Sequence, residues 1–210
     1  MKKLLIATAV CAALSTTALA GTENMFYVKA NVGGIILNKA KDKYTGLKMK
    51  GKTAAIFDLG VGYYVMDNTR VDLTFVTPVN PEMKKTGKAN DGVSTTVKHK
   101  GTIYALMANG YVDLFDISVA KVFIGAGVGW AQVKEKMTDR VNGNASSKKK
   151  NNAAYQLTLG TAAEVAPGVN AEFAYRWIDF GKTKAKKGQE ASGTTAYKGH
   201  NLLLGIRFDI

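Results

Sequence analysis

Residues Gly199–Ile210 read GHNLLLGIRFDI. Leu202, Leu204, Ile206, Phe208 and Ile210 occupy every second position, with Asn201, Leu203, Gly205, Arg207 and Asp209 between them. Side chains of a strand alternate between two faces, whereas a helix brings residues three and four apart together. The stretch therefore reads as a strand with one oily row and one row that carries an Arg and an Asp.

Seven earlier segments repeat the pattern. Phe26–Leu37 sets Phe26, Val28, Ala30 and Val32 against Lys29 and Asn31. Ala54–Met66 sets Phe57, Leu59, Val61, Tyr63 and Val65 against Asp58, Gly60, Gly62 and Tyr64. Arg70–Val79 sets Val71, Leu73 and Phe75 against Arg70, Asp72 and Thr74. Thr102–Val112 sets Tyr104, Leu106, Ala108 and Val112 against Met107, Asn109 and Tyr111. Val119–Ala131 sets Val122, Ile124, Ala126, Val128 and Trp130 against Phe123 and three glycines. Ala153–Ala166 sets Tyr155, Leu157, Leu159, Ala163 and Val165 against Gln156, Thr158, Gly160 and Glu164. Val169–Phe180 sets Ala171, Phe173, Tyr175 and Trp177 against Glu172, Ala174 and Arg176.

The segments between them alternate in length. Asn38–Thr53, Asn80–Gly101, Gln132–Asn152 and Gly181–Lys198 are long and expected as loops. Met66–Thr69, Asp113–Ser118 and Pro167–Gly168 are expected as tight turns. Eight strands, each near the roughly 9–11 residues that a tilted strand needs to cross a bilayer, with short turns at one end and long loops at the other, describe an all-β, eight-stranded antiparallel up-and-down transmembrane β-barrel. Tyr104, Trp130, Tyr155 and Trp177 are expected in an outer aromatic belt, and Phe26, Tyr63 and Phe208 in an inner one.

The start of the chain fits export. Met1-Lys2-Lys3, the apolar run Leu4–Leu14 and the ending Ala18-Leu19-Ala20 describe a signal peptide, residues 1–20, with the barrel domain over 21–210. The apolar run falls short of the roughly 20 residues of a membrane helix. The single cysteine, Cys11, lies within it, so residues 21–210 hold no disulfide.

Charge is distributed unevenly. The chain is +13 overall, while the four long connections carry about +5, +3, +4 and +4, so everything else is net acidic. The polar rows hold Lys29, Arg70, Arg176 and Arg207 with Asp58, Asp72, Glu164, Glu172 and Asp209. An eight-stranded barrel is just filled by its own side chains, so these groups are expected to pair across a narrow lumen as a polar core.

With these residues in view, Ala105–Asp113 (ALMANGYVD), Phe123–Ala131 (FIGAGVGWA) and Gly205–Phe208 (GIRF) resemble the opacity-type outer-membrane surface proteins. The lysine-rich loops and the size are similar to the rickettsial surface adhesins within that group. The resemblance implies an eight-stranded barrel of the bacterial outer membrane, whose exposed loops bind host-cell or serum proteins. It also implies a terminal aromatic that assists assembly; here Ile210 is last and the aromatic is Phe208.

Binding is expected at the basic loops: Lys39, Lys41, Lys43, Lys48, Lys50 and Lys52 in the first, Lys84, Lys85 and Lys88 in the second, Lys148, Lys149 and Lys150 in the third, and Lys182, Lys184, Lys186 and Lys187 in the fourth. The partners are outer-membrane lipid and lipopolysaccharide and acidic host-cell surface or serum proteins, attracted by charge and weakened by salt. Without adhesion, the chain reads as a structural barrel or narrow channel. No nucleic acid is expected, and the sequence sets no oligomeric state. Gly125-Ala126-Gly127-Val128-Gly129 lacks the third glycine of a dinucleotide loop, since that place is Trp130. His99 and His200, with no cysteine beside them, make no metal cluster, and His200 with Ser192 has no spacing that supports catalysis. No enzyme, cofactor or metal is expected.

Overall fold

In the computed structural model, residues 25–38, 40–41, 48–88, 94–139, 143–146, 149–182 and 196–210 are described; the expected signal peptide lies outside them. The strands are β1 (Phe26–Leu37), β2 (Ala40–Lys41), β3 (Lys48–Gly51), β4 (Thr53–Met66), β5 (Thr69–Pro78), β6 (Glu82–Lys88), β7 (Ser94–Ile117), β8 (Ala120–Asp139), β9 (Gly143–Ser146), β10 (Lys150–Ala166), β11 (Val169–Lys182) and β12 (Ala196–Asp209).

Eight of these form a closed antiparallel ring. β1, β4, β5, β7, β8, β10, β11 and β12 each pair with the next, and β12 pairs back onto β1 from Tyr27↔Asp209 to Leu37↔Gly199. The first and last strands seal each other, so the eight-stranded ring itself has no open edge. Beyond the strands themselves, Phe26 and Ile210 exchange backbone hydrogen bonds of 3.1 and 2.8 Å at the seam.

The two faces separate as the alternation requires. On β12, Leu204 is 62% exposed while Arg207 is 4% exposed. Leu59, Val61, Leu106, Val128, Leu157 and Phe173 are likewise exposed, and their neighbours in sequence point into the ring. Apolar side chains outside and ionised ones inside reverse the arrangement of a water-soluble barrel and fit one immersed in lipid.

The lumen holds two layers. Toward the chain termini it is polar, with Lys29, Asp58, Arg70, Asp72, Asn109, Glu172, Arg176 and Arg207 all buried. Toward the far end it is apolar: Ile35, Ile56, Val76, Ile103, Val133, Ile178, Phe180 and Tyr197 have no measurable exposure. The large rings in the lumen need small residues in the wall beside them. A Cβ at Gly62 would run into the ring of Tyr27, and one at Gly125 into the ring of Tyr111.

Several boundaries differ from expectation. Asn80–Gly101 and Gln132–Asn152 are not loops throughout. β7 begins at Ser94 and β8 runs on to Asp139, with nineteen residue pairs in register from Lys98↔Thr138 to Ile117↔Ala120. β7 is 24 residues long, or about 80 Å at 3.3 Å per residue, more than twice a bilayer crossing. Met49–Gly51 of β3 pairs with Met83–Lys85 of β6, so part of Asn38–Thr53 joins the same sheet. Lys and Thr are compatible with a strand as well as with a loop, so polarity alone does not reveal these pairings. Asp113–Ser118 is not a turn. β7 continues through it to Ile117, and the reversal falls at Ser118-Val119, with Ser118 at φ 55°.

Each short hairpin carries a register shift just before its turn, at Tyr64/Met66, Asp113/Phe115 and Glu164/Ala166. The extra residue leaves two successive side chains exposed, Val65 with Met66, Leu114 with Phe115, and Val165 with Ala166. A bulge re-aims side chains in this way while raising the local twist. Pro167-Gly168 makes its turn as expected, with Gly168 at φ +70°.

Candidate functional site

The lumen is the most constrained polar site. Lys29 Nζ lies 2.5 Å from Asp72 Oδ2 and donates to the Tyr111 hydroxyl at 3.0 Å. Asp72 also accepts from Tyr27 (3.2 Å), Thr74 (2.8 Å) and Asn109 (2.6 Å). Gln156 donates to Asn109 Oδ1 at 2.5 Å and extends the chain of bonds across the barrel. Arg176 donates from both terminal nitrogens to Asp58, at 2.7 and 3.2 Å. With its amide oxygen turned inward, Asn201 accepts from Arg176 Nε at 2.9 Å. Nearer the termini, Arg207 donates to Glu172, which also lies 3.7 Å from Arg70. Arg70 donates to Asp113, and Arg207 Nε to Asp209 at 3.1 Å. The Arg70 guanidinium sits 4.6 Å from the Phe123 ring centre.

Every buried charge in this layer therefore has an opposite charge within reach, as low dielectric demands. Two members differ from expectation. Glu164 is exposed and accepts from the Gly168 amide at 3.2 Å, so it braces a turn. Asp113, expected in a turn, takes the luminal place because β7 extends past it.

The apolar layer was not anticipated. Ile35, Ile56, Ile103 and Ile178 occupy the same rows as the luminal charges, farther along their strands. Next to lipid-facing apolar neighbours they give runs that are oily on both sides, so the alternation fades there.

The described lysines among those expected to bind lie on or beside strands at the apolar end, away from the termini. Lys52, Lys149 and Lys182 are exposed and Lys150 is half-buried. Lys52 lies 3.6 Å from Glu82, which also meets Lys100 at 3.3 Å. Desolvation, the largest single influence, would lift the Glu82 carboxyl, yet the hydrogen bonds from Lys100 and Lys52 and their charges together hold it below its ordinary value. Lys41, Lys48, Lys50, Lys84, Lys85 and Lys88 belong to β2, β3 and β6. The register sets Lys41 beside Lys48 and Lys50 beside Lys84, which in turn stands beside Lys98. Lys39, Lys43, Lys148, Lys184, Lys186 and Lys187 lie outside the described residues. Lys98, Lys100, Lys134 and Lys136 join the group without having been singled out. The register pairs Lys100 with Lys136. Their spacing by two was the available signal, since it continues the strand period through polar sequence.

Among the described residues no group of three or more His, Cys, Asp and Glu is placed to hold a metal ion. His200 Nδ1 lies 2.6 Å from the Tyr175 hydroxyl, and the two rings stack. Ser192 and the side chain of His99 are not described.

The sequence and the fold both have relatives. Residues 6–208 match the family described as Outer membrane protein beta-barrel domain. A Rickettsia felis protein bearing the name "Putative adhesin" is 44% identical over 224 residues, with 100% of both chains covered. Neisserial surface protein A shares the fold at 18% identity and a TM-score of 0.55, covering 88% of this chain and 97% of its own. The outer membrane protein OprG of Pseudomonas aeruginosa does so at 14% identity and a TM-score of 0.57, covering 90% and 97%. With an exterior made for lipid and a family match over nearly its whole length, the chain belongs to the outer membrane protein β-barrel family and resides in the bacterial outer membrane.

Proposed function

We propose that the protein is an adhesin, a barrel that holds basic hairpins outside the cell against host-cell or serum proteins. One observation carries the reading: β6, β7 and β8 run far past the apolar band and bring lysines from three strands side by side. The name borne by the 44% identical Rickettsia felis protein supports the same reading. Such a surface attracts acidic partners from a distance, and salt screens the attraction. Lys48, Lys50, Lys84, Lys85 and Lys88 are the residues assigned first contact, with the lysines of the third and fourth connections behind them.

Residues 1–20 act as a cleaved signal peptide in this proposal, and N-terminal sequencing of mature protein from the outer membrane is expected to begin at Gly21. No enzymatic step is part of it. The side chain of His200 is engaged by Tyr175, which supports a structural role for the histidine.

The test is binding of the refolded barrel, in vesicles, to cultured host cells at low and high salt. The hairpin tips between β6 and β7 and between β8 and β10 are shortened one at a time. Salt-sensitive binding that falls with a shortened hairpin is the expected result. Binding equal to that of empty vesicles at low salt would leave the structural-barrel reading in its place.

A further inference from the structure

The ribbon beyond the barrel sorts its residues by face as the barrel does. Residues opposite each other in an antiparallel ladder share a face, and positions two apart along a strand return to it. The register sets Met83 of β6 opposite His99 of β7, and His99 opposite Met137 of β8. One transverse row across three adjacent strands therefore reads Met-His-Met. Met49 of β3 stands opposite Lys85, two residues along from Met83, so it belongs to the same face. Three of the chain's seven methionines and one of its two histidines share this face. The other face carries Lys50, Lys84 and Lys98 in one row and Lys100 with Lys136 in another. His99 lies four residues beyond Ile103 and Met137 four beyond Val133, a luminal pair with no measurable exposure. The row is thus on the lumen side of the ribbon, just outside the filled apolar section.

Two thioethers and an imidazole make a donor set with a preference. Methionine sulfur is soft and selects copper(I), imidazole nitrogen also suits copper, and hard cations take oxygen. Directly opposite positions have Cβ atoms about 4.5–5.5 Å apart. Methionine Sδ lies two bonds beyond Cβ, so sulfurs from both flanks and a ring nitrogen from the middle can share one ion. The charge around the row adds to the choice. Lys85 is on the same face and Lys84, Lys98 and Lys136 are on the other, against Glu135 two residues from Met137. A positive setting opposes a divalent ion twice as strongly as a monovalent one. An apolar cover over Ile103 and Val133 would need neither sulfur nor a histidine.

We infer that Met83, His99 and Met137 form a binding site for a soft monovalent cation, copper(I), with Met49 on the diagonal as the nearest further sulfur. The site takes the ion from the medium at that end and keeps it there, because Ile103, Val133 and Ile178 fill the section beneath. The inference rests on the strand register and not on adhesion.

Silver(I), which shares the ligand preferences of copper(I) and keeps its oxidation state in air, is the probe. The mature barrel, refolded in phosphatidylcholine vesicles, is titrated in chloride-free buffer. Calorimetry follows binding, and carbon-13 NMR follows the methionine methyl groups. One silver ion per barrel is expected, with the Met83 and Met137 methyl signals shifted and those of Met66 and Met107 unmoved. Met83→Leu/Met137→Leu keeps the apolar volume and removes both sulfurs. It is expected to weaken binding at least about tenfold, since even residues that only support metal ligands cost roughly 10–100-fold when lost. His99→Gln is expected to weaken it likewise, and Met66→Leu to leave it unchanged. Absence of saturable silver binding by the wild-type barrel overturns the inference, as does unchanged affinity in the double variant. Zinc(II) bound as tightly as silver(I) also overturns it, for that would mark a nitrogen and oxygen site built on His99 and Glu135.

Discussion

Asp58 and Arg176 show what a single residue does in this barrel. The pair joins β4 to β11 across the lumen with two hydrogen bonds, and both side chains are almost wholly enclosed. Ions so placed contribute less to stability than their geometry suggests, because both lose their hydration. Removing one is a different matter, for the survivor stays dehydrated and unpaired. Asp58→Ala is therefore expected to destabilise the barrel by about 3–5 kcal/mol, whereas Asp58→Leu/Arg176→Leu recovers most of that loss. Urea unfolding of each variant in phosphatidylcholine vesicles measures both. A double variant no more stable than the single one would show that the pair contributes net stability by itself. The same reasoning makes Gly62 sensitive. Gly62→Val presses on the buried Tyr27 ring, and is expected to cost about 1–3 kcal/mol by overpacking.

Strands and hairpins were legible to the extent that their two faces differ. β1, β4, β5, β10, β11 and β12 were readable to within three residues at each end, because lipid outside and ions inside impose opposite chemistry at alternate positions. The extensions of β7 and β8 were not, because a solvated ribbon has polar residues on both faces and resembles a loop in composition. Their lysines kept the period of two, at Lys98 and Lys100 and at Lys134 and Lys136, and the period was the surviving trace. The apolar layer of the lumen escaped for the opposite reason, since Ile103 and Ile178 lie among residues as oily as themselves. That layer bears on transport. Ile35, Ile56, Ile103, Val133, Ile178 and Phe180 leave no exposed surface within it, and a dry, filled section admits no file of water. The wild-type barrel is expected to give no conductance steps above background in planar bilayers. Regular openings would reinstate the narrow-channel reading. At the foot of the β6–β7 hairpin, the pH response has a definite sign. Desolvation raises Glu82 more than any single interaction lowers it, but Lys100 and Lys52 together hold it below its ordinary 4.5. A carboxyl depressed on folding contributes above 4.5, and that contribution disappears as pH falls through the lower folded value. Carboxyl-carbon NMR is expected to place the Glu82 midpoint under 4.5, and to move it back up in Lys52→Gln/Lys100→Gln.

Across the whole molecule, the described cleavable basic residues fall into three zones. Lys29, Arg70, Arg176 and Arg207 are shut in the lumen by ion pairs. The exposed apolar band contains neither Lys nor Arg. The remaining described lysines gather at the far end, except for Lys121 beside the short Ser118-Val119 turn. Trypsin therefore reports orientation directly. Placing the long hairpins outside the cell makes their lysines accessible on intact bacteria, while Lys121 faces the periplasm. Surface digestion followed by peptide mapping is expected to cut at Lys84, Lys85 and Lys88 and to spare Lys121 until the outer membrane is permeabilised. The eight crossing strands should stay together after such cuts, because each is hydrogen-bonded to both neighbours and the closed ring does not depend on the hairpin tips. Cleavage at Lys121 on intact cells, with the hairpins spared, would invert the barrel and remove the adhesive surface from the outside of the cell.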